Sequence, residues 1–234
     1  MSVLPRATSP SPKRLSFERA PPRLKGYAHL YRFGRSDEPR TLLIYVGGST
    51  SPSKYLARRS TKPAPIIAEL ETALEAKLLP LDVLICPCPM DTGGEGLDGF
   101  VDHFEDELLS EIGIRPSALA CMGYSAGAAY AMNLAIVEEA RAIVSIGGTG
   151  VLEAAAHNRT ILDRLIRDGE PGPAVALFRN DGDQTATLES LGRNMPRPLR
   201  VAATIAGTGG HQFRDYAGNG SLVAGFRFLV ERLY

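Results

Sequence analysis

The stretch Gly123-Tyr124-Ser125-Ala126-Gly127 decides how this chain is read. The run Ser117-Ala118-Leu119-Ala120-Cys121-Met122 precedes it and has the length and apolar character of a buried strand. Ala128-Ala129-Tyr130-Ala131-Met132-Asn133-Leu134-Ala135-Ile136-Val137 follows it and reads as a helix. A serine at a sharp strand-to-helix turn, with glycine two residues to either side, is the nucleophile-elbow arrangement. The glycines leave room where the strand and helix backbones meet, and the turn forces the serine into a strained conformation. Its hydroxyl is lifted clear of the backbone, beside the free N–H groups and positive dipole end of a helix. The bare pentapeptide is unspecific in a chain with 24 glycines, so a base, an acid and oxyanion donors must be sought elsewhere.

Outward from the elbow, short apolar runs alternate with helix-length amphipathic runs. Residues 27–33 alternate with period two, as an antiparallel or edge strand does, and 41–46 form a continuous apolar run expected of a strand buried on both faces. Helical spacing follows over 63–77, then a strand over 81–86 and a helix over 97–112 with Phe100, Phe104, Leu108 and Ile112 on one face. Beyond the elbow helix come strands over 141–146, 174–178 and 199–205, alternating with helices over 151–167, 186–193 and 218–233. This order predicts an α/β domain: a mostly parallel sheet of about seven strands with helices on both faces. Ligands of such sheets bind at the carboxyl ends of the strands, so the segments just after each strand are the ones that matter.

A chain of 234 residues with 26 basic and 26 acidic side chains is large enough for one sizeable core and carries no global field. Nothing in it calls for nucleic acid, and no apolar run reaches the roughly 18 residues of a membrane span. Cys86, Cys88 and Cys121 make no disulfide framework, and their odd number suits a reducing, cytoplasmic setting. Residues 1–25 hold six Lys/Arg, one Glu and five Pro, so they are expected to form a flexible arm ahead of a single domain over 26–234. The Asn158-Arg159-Thr160 sequon is expected to be incidental without a secretory signal.

Three further loops follow predicted strands. Gly47-Gly48-Ser49-Thr50-Ser51 can turn backbone N–H groups toward a ligand and, with the N–H of Ala126, make an oxyanion hole. It does not complete a phosphate-binding P-loop, and Gly148-Thr149-Gly150 lacks the third glycine of the dinucleotide fingerprint. Arg179-Asn180-Asp181-Gly182-Asp183 offers two aspartates to orient a histidine, Asp183 being the chosen acid and Asp181 the runner-up. It lacks the glycine and glutamate of a calcium loop, and no metal or cofactor is expected. Gly207-Thr208-Gly209-Gly210-His211 places a histidine in a glycine-rich loop after a strand expected to be buried. His29, His103 and His157 read as structural or surface residues, with His103 on the polar side of its helix.

With these residues in hand, the chain resembles the α/β-hydrolase superfamily over about residues 24–234. The order Ser125, Asp183, His211 matches that family's order of nucleophile, acid and base, each after its own strand. The resemblance implies acyl transfer to water: a serine hydrolase cleaving a carboxylic ester or thioester through an acyl-enzyme on Ser125. Its oxyanion loop would donate from Gly48 or Ser49 beside Ala126. The first strand of the family is not evident unless the proline-rich arm hides a remnant. Residues 147–172 hold little beyond one helix, so any lid is minimal. Gly47, Tyr124 and Met90 are expected at the substrate, with loops 51–62 and 87–99 at its entrance. An acyltransferase or amidase would use the same three residues, and a non-catalytic binding protein can share the fold. The partner implied is a small-molecule ester or thioester; the oligomeric state is left open.

Overall fold

The computed structural model describes residues 13–16, 27–33, 40–48, 65–74, 80–86, 88, 94–112, 116–183 and 188–234. Its strands are β1 (Lys13–Ser16), β2 (Tyr27–Arg32), β3 (Thr41–Val46), β4 (Leu81–Cys86), β5 (Ala118–Tyr124), β6 (Ala142–Ile146), β7 (Ala174–Asn180) and β8 (Arg200–Gly207). They form one sheet in the order β1-β2-β4-β3-β5-β6-β7-β8. β1 pairs antiparallel with β2 and β2 antiparallel with β4, while every neighbour pair from β4 to β8 is parallel. Seven of these eight strands are the ones the alternating pattern predicts. The eighth, β1, lies inside the segment expected to be a flexible arm, and its four residues extend the sheet beyond β2. Ser49, Met90, loop 51–62, most of loop 87–93 and the rest of the arm fall outside the described residues.

The helices are α1 (Pro65–Leu74), α2 (Gly94–His103), α3 (Leu109–Ile112), α4 (Gly127–Val137), α5 (Val151–His157), α6 (Arg159–Asp168), α7 (Leu188–Asn194), α8 (Phe213–Gly218) and α9 (Ser221–Leu233), with a wide π-helical turn at Phe104–Leu108 between α2 and α3. They cover both faces of the sheet. One apolar layer joins Leu42, Ile44, Cys121 and Ile143 to Phe100, Phe104 and most of α4; the other joins Leu43, Met122 and Val144 to Ile67, Leu70, Phe226 and Leu229. Strands β3, β4 and β6 are buried along their whole length, which is why apolar residues dominate them, with Thr41, Asp82 and Ser145 as buried polar exceptions. Ten consecutive residues of α4 are buried, and its alanines at 128, 129, 131 and 135 let it lie close to the sheet.

Three local expectations are corrected. The helix expected over 151–167 is two helices broken at Asn158, whose buried side-chain amide donates to Asn133 Oδ1 at 2.6 Å and to the Ala154 carbonyl at 2.9 Å. That burial also closes the glycosylation sequon. His103 is buried rather than on a polar face, because it stands three residues from Phe100 on the side of α2 that packs inward. β8, expected to be buried, is the sheet edge and largely exposed, since no strand follows it and α9 folds back over β5, β6 and β7.

At the far end of the sheet from the carboxyl edge, Arg40 and Asp82 form a buried pair. Arg40 Nε donates to Asp82 Oδ1 at 2.7 Å, and its Nη2 also reaches the Phe33 and Leu81 carbonyls at 2.8 and 3.1 Å. Removing one partner leaves the other charge buried and uncompensated. Arg40→Met is expected to lower stability by about 3 kcal/mol or more, seen as a fall in denaturant midpoint without loss of native activity below it.

Chain direction around the sheet locates the site. From β3 the chain winds toward β4, and from β5 it winds toward β6, β7 and β8. The loops after β3 and β5 therefore leave in opposite directions and open a crevice between neighbouring strand ends. Gly47-Gly48 and Ser125 sit at that crevice.

Candidate active site

Ser125 has φ +53°, one of two non-glycine residues in the left-handed region among those described. Its backbone is over-determined there: its N–H donates to the Ile146 carbonyl at 2.9 Å, and its carbonyl accepts from Ala128 and Thr149 at 3.0 and 3.2 Å. The flanking glycines are sterically required. A Cβ at Gly123 would lie 2.3 Å from Ala128 Cα, and one at Gly127 would lie 2.2 Å from the Gly47 carbonyl oxygen. A Cβ at Gly48 would lie 3.1 Å from Ser125 Cβ, so the loop after β3 runs directly against the serine. The turn delivers Ser125 to the N-terminus of α4, where no hydrogen bond engages the Ala126 N–H among the described residues.

His211 bridges Ser125 and Asp183. Its Nε2 is 2.8 Å from Ser125 Oγ, and its Nδ1 is 2.7 Å from Asp183 Oδ2. The imidazole is 37% exposed whereas the Asp183 side chain is 1% exposed, so the relay runs from an open end to a buried carboxylate. Asp181, the other candidate acid, does not reach the ring: it is exposed, and its Oδ1 accepts from the Gly209 N–H at 3.1 Å. A turn closed by Asp183 N–H to the Asn180 carbonyl at 3.1 Å separates the two aspartates and turns Asp183 inward.

Tyr124, expected at the substrate, is a buried residue beside the histidine. Its ring stacks on His211 with centroids 5.7 Å apart, and its hydroxyl donates to the His211 carbonyl. Gly47 likewise uses its N–H inside the fold, donating to the Cys86 carbonyl at 3.1 Å.

Several residues that hold this site were not singled out from the sequence. Tyr216 donates from its hydroxyl to Asp183 Oδ2 at 2.8 Å and accepts from the Asn180 N–H at 3.3 Å. Burial, and then the neighbouring Asp183, push this phenol well above the ordinary tyrosine range, so it keeps its proton and remains a donor. Asn180 Nδ2 donates to the Gly210 carbonyl at 2.9 Å, and Asp215 Oδ2 accepts from the Gly210 N–H at 3.1 Å, pinning the residue before His211 from both sides. Asn219 ties the strand ends together by donating to Asn180 Oδ1 at 2.6 Å and to the Thr208 carbonyl at 3.0 Å. Their signal in sequence was position alone: Asn180 ends β7, and Tyr216 lies on the short helix after the histidine loop.

Thiols make poor rivals to Ser125. Burial pushes the Cys88 thiol up to about 12 and raises Cys86 and Cys121 further, which keeps all three protonated at neutral pH. His157 is committed to Asp98 at 2.7 Å on the surface of α2. Among the described residues no three His, Cys, Asp or Glu side chains converge in a way that could hold a metal ion, and no helix is long and apolar enough to cross a membrane.

No family model matches the chain, and no curated protein matches its sequence. Its fold does have solved counterparts. Carboxyl esterase 2 from the mycorrhizal fungus Tuber melanosporum superposes with TM-score 0.63 at 15% identity, covering 97% of this chain and 88% of that one. Mouse alpha/beta hydrolase domain-containing protein 10 superposes with TM-score 0.57 at 12% identity, covering 96% and 100%. This chain has the α/β-hydrolase fold. S-formylglutathione hydrolase from Staphylococcus aureus is a third counterpart, with TM-score 0.59, 14% identity and 98% and 100% coverage. Within this α/β-hydrolase fold the segment between β6 and β7 holds only α5 and α6, so no cap is inserted there.

Proposed function

We propose that the protein is a serine hydrolase that cleaves a carboxylic ester or thioester through an acyl-enzyme on Ser125. The observation that carries this reading is the unbroken relay Ser125 Oγ, His211 Nε2, His211 Nδ1, Asp183 Oδ2, at 2.8 and 2.7 Å. Ser125 Oγ attacks the acyl carbonyl while His211 Nε2 accepts its proton. Asp183 receives the Nδ1–H bond, which selects the tautomer able to accept and stabilises the imidazolium that forms. The Ala126 N–H and an N–H of Gly48 or Ser49 bind the tetrahedral oxyanion; each such donor is typically worth about 3 kcal/mol of barrier. His211 then protonates the leaving alkoxide or thiolate, and a water activated by the same base hydrolyses the acyl-enzyme.

The choice of acyl substrates is supported by two of the fold's counterparts, a carboxyl esterase and an S-formylglutathione hydrolase. The lack of an inserted cap between β6 and β7 suits a small acyl group with a leaving group that extends into solvent. Initial rates on short-chain nitrophenyl esters and on acyl thioesters test the reading. Turnover of at least one class, with the free acid as product, is expected. No turnover of either, or transfer of the acyl group to an added alcohol with no free acid formed, would overturn it.

A further inference from the structure

Arg179, near the end of β7, is a buried cation that the mechanism above does not use. It is 4% exposed. Its Nη2 donates to Asp183 Oδ1 at 3.2 Å, and its Nε points to the Asp183 main-chain carbonyl at 3.5 Å. Its Nη1 is buried and has no hydrogen-bond partner among the described residues. A guanidinium does not lose its charge in a protein, and a buried one is unfavourable unless paired. Its ion-pair partner is the carboxylate that also faces His211.

Resting on the hydrolase reading, we propose that Arg179 is a positioning residue for the base. It fixes which oxygen of Asp183 meets His211, and it offsets part of that carboxylate's charge on the imidazole. The two oxygens divide their partners. Oδ2 takes His211 and the Tyr216 hydroxyl, and Oδ1 takes Arg179. Without Arg179 beside it, the carboxylate would stabilise an imidazolium more strongly, and an imidazolium cannot accept the Ser125 proton.

Among the described residues, the other groups near His211 do not substitute for Arg179. From the β7 turn come Asp181, which is exposed, and Asp183 itself. From β5 come the Tyr124 ring and Ser125. From α8 come Tyr216, held protonated, Asp215, engaged by the Gly210 N–H, and Arg214, which is 78% exposed and screened by solvent. Arg179 is the buried cation of that set.

The test is the second-order rate of inactivation by a fluorophosphonate, followed against pH, for the parent, Arg179→Gln and Arg179→Lys, with melting temperatures recorded alongside. Glutamine keeps a donor for Oδ1 and removes the charge; lysine keeps the charge. The acid limb is expected to move to higher pH by at least about half a unit in Arg179→Gln, roughly a threefold change in proton affinity, and to stay at the parent's position in Arg179→Lys. A slower Arg179→Gln with an unmoved limb would mean a structural role only and would overturn the proposal. If the glutamine variant does not fold, the lysine variant carries the test alone, and a limb displaced by half a unit or more would overturn it. A parent that does not react overturns the hydrolase reading and this inference with it, whereas a reactive parent with coincident limbs overturns the inference alone.

Discussion

Ser125→Gly is expected to lower kcat by about a millionfold, the scale seen when a serine nucleophile is removed, and yet to be more stable than Ser125→Ala. Both variants lose the hydroxyl and its 2.8 Å contact with His211 Nε2. They differ in the backbone. Position 125 has φ +53°, where a side chain costs about 1–2 kcal/mol and glycine costs almost nothing. Alanine keeps that strain after the hydroxyl is gone. Glycine relieves it, against a larger loss of chain entropy of about 0.5–1 kcal/mol. The net difference should place the melting temperature of Ser125→Gly a few degrees above that of Ser125→Ala, since about 1 kcal/mol corresponds to roughly 2–4 °C in a domain of this size. Esterase rates and thermal melts on the two variants check this. Equal activity in either variant would remove Ser125 from the chemistry, and a Ser125→Gly variant less stable than Ser125→Ala would mean that the turn is not strained.

Asp183→Asn is expected to lower kcat by about 10⁴-fold, with little change in KM. The neighbours of the carboxylate explain why so conservative a change should matter. Arg179 Nη2 sits 3.2 Å from Oδ1 and can only donate. It will hold the amide oxygen of an asparagine on its own side. The amide NH₂ then faces His211 Nδ1 and donates to it, which moves the ring proton to Nε2. A histidine in that tautomer donates toward Ser125 and cannot accept its proton. Asp181→Asn makes a useful contrast: that side chain is exposed and accepts from Gly209, so its replacement should change kcat by less than about tenfold. Steady-state kinetics of the two variants side by side check the assignment, and the reverse ranking would make Asp181 the acid.

The α/β order and the elbow were legible because each rests on a local rule. The continuous apolar run at 41–46 marks a strand covered on both faces, and Gly123 and Gly127 leave no room for any other residue. Ser125, Asp183 and His211 could be singled out as candidates because each follows a strand at the carboxyl edge. What stayed hidden depends on contacts far apart in the chain. Tyr124 lies in the elbow itself, but only the return of the loop 87 residues later makes it a support for His211. Arg179 reads as one more charged residue at a strand end until Asp183 turns back onto it. Asn158 breaks a helix because Asn133, from another helix, meets its side chain. β1 was hidden by composition: residues 1–25 are rich in proline and arginine, yet four of them pair with β2.

The proposed hydrolysis requires Ser125 as the nucleophile, and mass mapping of a fluorophosphonate adduct tests that most directly. The parent is predicted to take up one adduct at neutral pH, on the peptide containing Ser125, with none on Ser125→Gly and a much slower reaction on Asp183→Asn. A parent that takes up no adduct, or an adduct on another residue that persists in Ser125→Gly, would contradict it.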